Sequence, residues 1–244
     1  MDGTLTPSKA PMTASMGALL RRLLREKKVA VIGGGKYELF KWQFVNRIKF
    51  RGKELKNLFL FPTSSTAFYK YDRGRWRNVY SRALSSAEKK KIKRAFLSVF
   101  RKLGYEHPKK TYGAVIEDRG TQITFSALGQ RAPIPLKEAW NKKYNQMRLR
   151  MARLLQKKLR RFNVRVGGLT SIDVTEKGID KAYGIRQIEK HLRVPRREML
   201  FVGDAIFPGG NDYAVVRAGV DYVKVGGPEE ARKVIRFLIS GRRP

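Results

Sequence analysis

The sequence contains no cysteine and only two histidines in 244 residues. Without cysteine the chain forms no disulfide, carries no thiolate nucleophile and holds no Cys-ligated zinc. Two histidines leave little room for a histidine-rich metal site. The chemistry open to this chain therefore rests on carboxylates, hydroxyls, amides and cationic side chains.

Long hydrophobic runs are also missing. No stretch approaches the roughly 18 apolar residues that cross a membrane, and no apolar signal-peptide segment stands at the N-terminus. The hydrophobic fraction of 42% and the aromatic fraction of 11% are ordinary for a globular protein. We therefore expect a cytoplasmic protein without membrane association, built as one large domain or two small ones.

Acidic residues are scarce, with 20 Asp and Glu against 54 Lys and Arg and a formal net charge of +34. The segment between Glu138 and Asp173 has no acid, and its cations are Lys142, Lys143, Arg148, Arg150, Arg153, Lys157, Lys158, Arg160, Arg161 and Arg165. A charge of this size attracts polyanions, which would make the segment a nucleic-acid or phosphate-binding face.

The same segment has a second interpretation as the solvated side of an amphipathic helix. Its apolar residues step by three or four: Trp140, Tyr144, Met147, Met151 and Leu154. This spacing is typical of a helix with one buried face, and it favours the second interpretation. No zinc-finger, RRM or KH signature accompanies the charge. A nucleic-acid partner is therefore not expected, although the charge leaves it open.

Both ends of the chain alternate between short apolar runs and helical patterns. The predicted strands are 28–32, 58–61, 199–202 and 220–225, and the predicted helices are 13–26, 37–48, 182–191 and 228–239. This alternation predicts an α/β core with a parallel sheet flanked by helices. Two further strands, 67–71 and 77–80, flank a turn at Asp72-Arg73-Gly74.

The middle of the chain follows a different order. A helix begins at Ser86, and a hairpin signal at Asp118-Arg119-Gly120 follows it. A long helix over about 136–161 and a second strand pair come next. This order predicts an α+β unit on an antiparallel sheet, inserted into the α/β protein. We assign residues 1–80 and 181–244 to the core and residues 81–180 to the insertion.

Two islands of acid and glycine stand at opposite ends of the chain: Asp2-Gly3-Thr4-Leu5-Thr6 and the run from Gly203 to Asp212. Doubly wound sheets bind ligands at the carboxyl ends of their strands, where such islands fall. Oxygen ligands suit Mg²⁺, and glycine amides can approach phosphate oxygens. Either island alone is compatible with a turn and a helix N-cap. Together with Lys181, they indicate a phosphate site.

These residues resemble the motifs of the haloacid dehalogenase (HAD) superfamily, subfamily IIB, and within it the eukaryotic-type phosphomannomutases. The resemblance covers nearly the whole chain. Its further segments are Phe61-Pro62, Arg119-Gly120-Thr121, Gly167-Gly168, Ser171-Ile172-Asp173-Val174 and Gly178-Ile179-Asp180-Lys181. It implies a HAD-like core with an inserted cap, and a Mg²⁺-dependent enzyme that transfers a phosphoryl group through an aspartyl phosphate.

The resemblance also implies roles for single residues. Asp2 is the acid/base, Lys181 neutralises phosphoryl charge, and Mg²⁺ is held by the Asp2 backbone carbonyl, Asp204 and Asp212. The implied phosphate-binding residues are Gly33, Gly34 and Asn211. The implied substrate-binding residues are Lys9, Arg119, Arg131, Ser171 and Asp173. A homodimer through the cap is implied as well.

The sequence leaves three functions open. The first is interconversion of mannose 6-phosphate and mannose 1-phosphate. The alternative is hydrolysis of a sugar phosphate by a HAD-IIB phosphatase. The second alternative is a catalytically dead, basic protein that binds polyanions.

Three positions depart from the family pattern. The nucleophilic aspartate would stand two residues before Asp2, ahead of Met1, so we expect a truncated or misassigned start. Gly33 stands where the family has Ser or Thr, and we expect a weaker grip on phosphate there. Gln130 stands where the mutases have a phosphate-binding arginine, and an arginine follows one residue later at Arg131.

Overall fold

The computed structural model describes residues 1–7 and 10–241. The chain divides into two compact units. The core unit comprises Met1–Ser81 and Asp180–Pro244, and the inserted unit comprises Arg82–Ile179.

The described strands and helices follow in chain order. The strands are β1 (Val29–Ile32), β2 (Leu58–Phe61), β3 (Ala67–Asp72), β4 (Arg75–Ser81), β5 (Ile116–Asp118), β6 (Gln122–Ser126), β7 (Phe162–Gly167), β8 (Ser171–Glu176), β9 (Leu200–Gly203) and β10 (Asp221–Lys224). The helices are α1 (Ala14–Leu23), α2 (Tyr37–Gln43), α3 (Gly52–Lys56), α4 (Pro62–Ser65), α5 (Ser86–Leu103), α6 (Ile134–Lys158), α7 (Lys181–Leu192), α8 (Ala214–Arg217) and α9 (Pro228–Ser240). Short 3-10 turns lie at Val45–Arg47 and Arg196–Glu198.

The strands of the core unit form two sheets. One has the order β1-β2-β3-β4, and the other is the pair β10-β9. The predicted parallel pairing is confirmed for β1 with β2 and for β9 with β10. The pairs β2–β3 and β3–β4 are antiparallel, because the short turn α4 joins β2 to β3 and a two-residue turn joins β3 to β4. The first sheet is therefore mixed.

Helices cover both faces of these sheets. Leu58 and Leu60 of β2 point into an apolar cluster with α1 and α9, and Val202 of β9 packs against it. Phe59 and Phe61 of the same strand point the opposite way, into a cluster with α7 and α8. This alternation is that of a strand buried on both faces, which explains its continuous apolar sequence.

The inserted unit is one antiparallel sheet with the order β5-β6-β8-β7, and α5 and α6 pack on one face of it. Ile92 and Phe96 of α5 and Met151 of α6 meet Phe125 of β6 in its apolar core. The predicted order of helix, two strands, helix and two strands is confirmed. Among the described helices, none is both long and apolar enough to cross a membrane.

The helix predicted over 37–48 is shorter than expected, because α2 ends at Gln43. The amide of Met12, which is 31 residues earlier in the chain, donates to the Gln43 carbonyl at 2.8 Å. Phe44 leaves helical dihedral angles at φ −124° and ψ −70°, and its ring is fully buried. A tertiary hydrogen bond and a buried aromatic ring therefore replace the last helical turn.

The turn α4 is backbone-strained. Thr63, Ser64 and Ser65 have φ of 48°, 57° and 70°, which is the left-handed region. The Thr63 and Ser64 amides donate to the carbonyls of Gly35 and Gly33 at 2.8 and 2.9 Å. These bonds tie the end of β2 to the glycine loop after β1. Left-handed conformations of non-glycine residues cost about 1–2 kcal/mol each, so the two loops are held together against strain.

Replacing Ser64 with glycine is expected to raise the free energy of unfolding by about 1 kcal/mol, because glycine adopts this conformation without strain. Urea denaturation measures the change. Ser98 lies inside α5, so S98G is the matched control and should lower the free energy of unfolding by about 0.5–1 kcal/mol. Equal destabilisation by both substitutions would contradict the strain at α4.

His191 makes the core unit sensitive to acid. Its ring packs 5.4 Å from the rings of both Tyr80 and Phe68. Burial, then Lys190 and Lys70, lowers the pKa of His191 below its usual value. The unfolded chain therefore binds this proton more readily, and stability is lost as the pH falls through the unfolded pKa of about 6.5. We expect His191→Phe to lose less stability than the parent protein between pH 7 and pH 5 in urea titrations.

Candidate active site

A tight N-terminal turn forms one wall of the candidate site. The amides of Thr4, Leu5 and Thr6 all donate to the Met1 carbonyl, at 2.8 to 3.3 Å. The Gly3 amide donates to the Thr6 carbonyl at 2.8 Å, and Gly3 has a φ of +77°. This turn lets side chains of residues 2–6 contact Gln43 and Asp204, which are far away in the sequence.

Asp2 is oriented by two donors. Its Oδ1 accepts from Gln43 Nε2 at 2.9 Å and from Thr6 Oγ1 at 3.5 Å. Gln43 is fully buried and also donates to the Ala10 carbonyl at 3.1 Å. Sequence reasoning missed Gln43. The available signal was a polar residue between Phe40 and Phe44, on the face of α2 that enters the core.

Asp204 follows β9 and meets the same turn. Thr4 Oγ1 donates to Asp204 Oδ1 at 2.8 Å, and Thr4 is buried. A Cβ at Gly3 would overlap the carboxylate of Asp204, so glycine allows this approach. The structure thus brings the two acid-glycine islands into direct contact.

Lys181 and Asp212 form the third part of the site. Lys181 is the first residue of α7, whose N-cap Asp180 accepts from the Tyr183 amide at 2.8 Å. A cation at a helix N-terminus opposes the helix dipole, so its position needs a compensating anion. That anion is the carboxylate of Asp212, which pairs with Lys181 Nζ and is only 2% exposed.

The loop from Gly203 to Asp212 is closed by its own backbone. The Ala205 amide donates to Asp212 Oδ2, and the Asp212 amide donates to the Ala205 carbonyl, both at 3.2 Å. A Cβ at Gly203 would lie 2.5 Å from Asp212 Oδ2. Asp212 therefore holds the loop and the lysine together.

The oxygen donors at this site fit Mg²⁺. Among the described residues, no three His, Cys, Asp or Glu side chains converge as a metal-binding group. Mg²⁺ does not need such a cage, because it binds one or two carboxylates and completes its shell with water and substrate phosphate oxygens. The Asp204 carboxylate and the Asp2 backbone carbonyl are donors of this kind. Asp212 is already engaged by Lys181 and Ala205.

In the glycine loop after β1, Gly33 does not have an amide available for the expected phosphate binding. The Gly33 amide donates to the Phe61 carbonyl at 3.2 Å and continues the β1–β2 ladder. The one donor that Gly33 could offer a phosphate is therefore engaged in the sheet. Gly34 and Asn211 are exposed in their loops. Lys9 lies outside the described residues.

Within the inserted unit, the sheet face opposite the helices is polar. Thr124 Oγ1 donates to Asp173 Oδ1 at 2.7 Å and accepts from Gln122 Nε2 at 2.8 Å. Arg119 donates from both Nε and Nη2 to Glu117 Oε2, each at 2.9 Å. Ser171 is buried at the start of β8, two residues before Asp173 on the same face. Sequence reasoning identified Arg119, Ser171 and Asp173, and the structure places Ser171 and Asp173 on β8 and Arg119 in the turn between β5 and β6.

The loop between β6 and α6 contains Gln130 and Arg131. Arg131 is exposed, and the Gln130 carbonyl accepts from Lys137 Nζ at 3.0 Å. Both residues lie outside the strands, so the one-residue shift of the arginine does not move it across a sheet. Lys137 is 5% exposed and was not identified from the sequence.

Arg148 is a correction to the predicted solvated face of the long helix. It is 6% exposed, and its Nη1 donates to the Gly168 carbonyl at 2.7 Å in the turn between β7 and β8. Its Nη2 donates to Asn145 Oδ1 at 2.8 Å. Burial lowers the pKa of the Arg148 guanidinium to about 10. This cation fixes a turn and does not face solvent.

Curated phosphomannomutases are similar to this chain over nearly its whole length. The chain is 26% identical to the phosphomannomutase of Galdieria sulphuraria over 245 residues, which cover 98% of this chain and 92% of that protein. It is 28% identical to the phosphomannomutase of Encephalitozoon cuniculi over 253 residues, covering 98% and 91%.

Two solved structures share the fold. N-terminally truncated IMP-nucleotidase of Plasmodium falciparum matches with a TM-score of 0.72 and 15% identity, covering 99% of this chain and 69% of that one. The chain thus spans about two thirds of that nucleotidase. Trehalose-6-phosphate phosphatase of Aspergillus fumigatus matches with a TM-score of 0.56 and 17% identity, covering 98% and 89%. These likenesses show the HAD fold with a cap domain.

The family model for eukaryotic phosphomannomutase matches residues 16–240, which is most of the chain. That span contains Lys181, Asp204 and Asp212. Asp204 accepts a hydrogen bond from Thr4 of the N-terminal turn, which precedes the matched span. The chain belongs to the eukaryotic phosphomannomutase family.

Proposed function

We propose that this protein is a Mg²⁺-dependent phosphotransferase that interconverts mannose 6-phosphate and mannose 1-phosphate. The observation that carries the proposal is the convergence of Asp204, Thr4 and the Asp2 turn beside β9. A second observation is the ion pair between Lys181, the first residue of α7, and the buried carboxylate of Asp212. Membership of the phosphomannomutase family supports the substrate.

The residues of the core unit have distinct roles in this proposal. Asp2, oriented by Gln43 and Thr6, gives and takes the proton of the sugar oxygen. Asp204 and the Asp2 carbonyl hold Mg²⁺, which neutralises charge on the phosphoryl group when bound. Lys181 faces that group, and Asp212 positions the lysine. The family resemblance puts the nucleophilic aspartate two positions before Asp2, and no residue of this sequence is assigned that role.

The inserted unit acts as the cap in this proposal, over about 81–180, and it supplies the sugar-binding side chains. Asp173, Ser171 and Arg119 would meet hydroxyl and phosphate oxygens of the hexose, with Arg131 as a further cation. Lys9, from the core segment of the chain, would be another. Asp173 is held in place by Thr124. Gly34 and Asn211 would meet the transferred phosphate in the core unit.

Replacing Thr124 with valine is expected to raise the KM for hexose phosphate about tenfold. The near-isosteric valine cannot hold the Asp173 carboxylate, and a hydrogen bond to a charged group contributes about 1.5–3 kcal/mol. Steady-state kinetics measures this effect. Thr175→Val, on the same face of β8, is the control and should leave KM unchanged. Equal changes in both variants would contradict the role of Thr124.

Hydrolysis of a sugar phosphate is the second candidate. Gln130 supports it, because an amide cannot clamp the distal phosphate as a guanidinium does, and Arg131 is exposed. A mutase must hold phosphate at either end of the hexose, whereas a phosphatase holds only one. The two activities differ in product, so one assay separates them.

The test uses protein isolated from its own source, with its intact mass measured first against the 28.0 kDa of this sequence. Incubation with mannose 1-phosphate and Mg²⁺, followed by ³¹P NMR, should give mannose 6-phosphate. Release of inorganic phosphate alone would replace the mutase proposal with the phosphatase. Asp204→Asn is the control and should abolish either product. Absence of both products in the parent protein would overturn the proposal.

We also propose a cytoplasmic location and a homodimer formed through the inserted unit. The location is supported by the charge of a sugar phosphate, which prevents unaided passage through a membrane. Cell fractionation tests the location. Light scattering during size-exclusion chromatography tests the dimer, and a mass near 28 kDa would contradict it.

A further inference from the structure

The outward sides of α5 and α6 carry a dense set of cations. In sequence, α5 has seven Lys and Arg against Glu88, and α6 has eight against Glu138. The exposed cations of the two helices are Lys90, Lys91, Lys93, Arg94, Arg101, Lys102, Lys142, Lys143, Arg150, Arg153, Lys157 and Lys158. We call this set the basic helical face.

The structure separates these cations from those with internal roles. Arg148 and Lys137 are buried and donate to backbone carbonyls, and Lys89 pairs with Asp118 at 3.2 Å. Glu88 lies in the first turn of α5, and Glu138 is the fifth residue of α6, so both acids stand near the N-termini of their helices. The middle and end of each helix therefore present positive charge to solvent.

The face has a regular geometry along α6. Lys143, Arg150, Arg153 and Lys157 lie within about 80° of one another around the helix axis, at 100° per residue. They extend over about 21 Å, at 1.5 Å per residue. A nucleic-acid duplex carries about one negative charge per 1.7 Å of its axis, so a straight row of this length meets several phosphates.

We propose that the basic helical face binds the phosphodiester backbone of a nucleic-acid duplex. This inference is independent of the proposed phosphotransfer, because the face lies on the helix side of the sheet that carries Asp173 on its opposite side. Binding would be independent of base sequence and would weaken steeply with salt.

The side chains around the cations favour a duplex over other polyanions. Membrane-surface helices insert an apolar face, but Trp140, Met151 and Leu155 of α6 are buried in the core of the inserted unit. Proteins that bind single strands stack bases on exposed aromatic rings. Phe96 and Phe100 of α5 are buried, so their rings do not offer a surface on which bases could stack. Leu97 of α5 is exposed among the cations, and contact mainly through charge is typical of duplex backbone binding.

The experiment compares two quadruple variants that remove equal charge. The test variant is Lys143→Gln, Arg150→Gln, Arg153→Gln and Lys157→Gln on α6. The matched control replaces four exposed cations of the core unit with glutamine: Arg22, Lys53, Lys233 and Arg236. Glutamine is a good helix former, so both variants should fold, as circular dichroism will check. The probes are 24-base-pair DNA and RNA duplexes of mixed sequence, followed by fluorescence anisotropy between 50 and 200 mM KCl.

We expect the parent protein to bind both duplexes, with a slope of log K against log[KCl] between about −4 and −6. The test variant should have a slope shallower by about 3 to 4, since each lost phosphate contact removes about 0.9. The control should differ from the parent by less than about 1. Binding of only one duplex would assign the face to DNA or to RNA.

Three results would overturn the proposal. One is the absence of duplex binding by the parent protein at 50 mM KCl. Another is an equal loss in both quadruple variants, which would assign binding to net charge and not to this face. The last is retention on phosphatidylserine vesicles that exceeds duplex binding at the same salt and is lost in the test variant, which would make the face a membrane site.

Discussion

Replacing Lys181 with methionine is expected to lower the free energy of unfolding by about 3–5 kcal/mol and to abolish phosphotransfer. Methionine keeps the length of the side chain but leaves the carboxylate of Asp212 buried without its cation. An unpaired buried charge has a desolvation cost of this size. Urea denaturation measures the first effect and does not depend on any assay of activity.

Two further variants make this result specific. Lys181→Met with Asp212→Asn removes the charge but keeps an acceptor for the Ala205 amide, so most of the lost stability should return. Arg82→Met breaks an exposed pair with Glu176 and should change stability by less than about 1 kcal/mol. If the double variant were as unstable as Lys181→Met, the charge of Asp212 would not explain the loss.

Replacing Gly3 with alanine is expected to reduce kcat at least 100-fold. The added Cβ would overlap the Asp204 carboxylate and push it away from Thr4 Oγ1. A displacement of about 1 Å at a catalytic group reduces rates by about this factor. Alanine at a φ of +77° also costs about 1–2 kcal/mol of stability.

Gly74 provides the matched control for this substitution. It has a φ of +79°, and no atom lies within 4 Å of an added Cβ. Gly74→Ala should therefore lose similar stability in urea denaturation and keep its kcat. A Gly3→Ala variant that retains normal kcat would show that Asp204 does not act from its position beside the turn.

The sequence predicted those parts of the fold that depend on local pattern. The buried run of β2, the hairpin around Gly74 and the helix that begins at Ser86 all follow from apolar periodicity and turn or capping residues. The early end of α2 did not follow, because the bond from the Met12 amide to the Gln43 carbonyl joins residues that no local rule relates. The same limit applies to the separation of β9 and β10 from the first sheet.

For the site, motif order singled out the acids and the lysine as candidates but not the side chains that hold them in place. Asp2, Asp204 and Lys181 stand in glycine-rich islands that are visible in one sequence. Gln43 was missed because its contact with Asp2 spans 41 positions. Arg148 was assigned to the solvated face because it falls in a run of cations, and its burial depends on carbonyls in the turn between β7 and β8.

The division of the core unit into two chain segments has a consequence for synthesis on the ribosome. The inserted unit is contiguous, so residues 82–179 are all made before β9 and β10 exist. At about 5–20 residues per second, its synthesis takes roughly 5–20 s. During that interval Phe59 and Phe61 of β2 lack the apolar residues of α7 and α8 that cover them in the finished protein. The inserted unit is therefore the first unit able to fold, and Phe59 and Phe61 stay without this cover until the last quarter of the chain emerges.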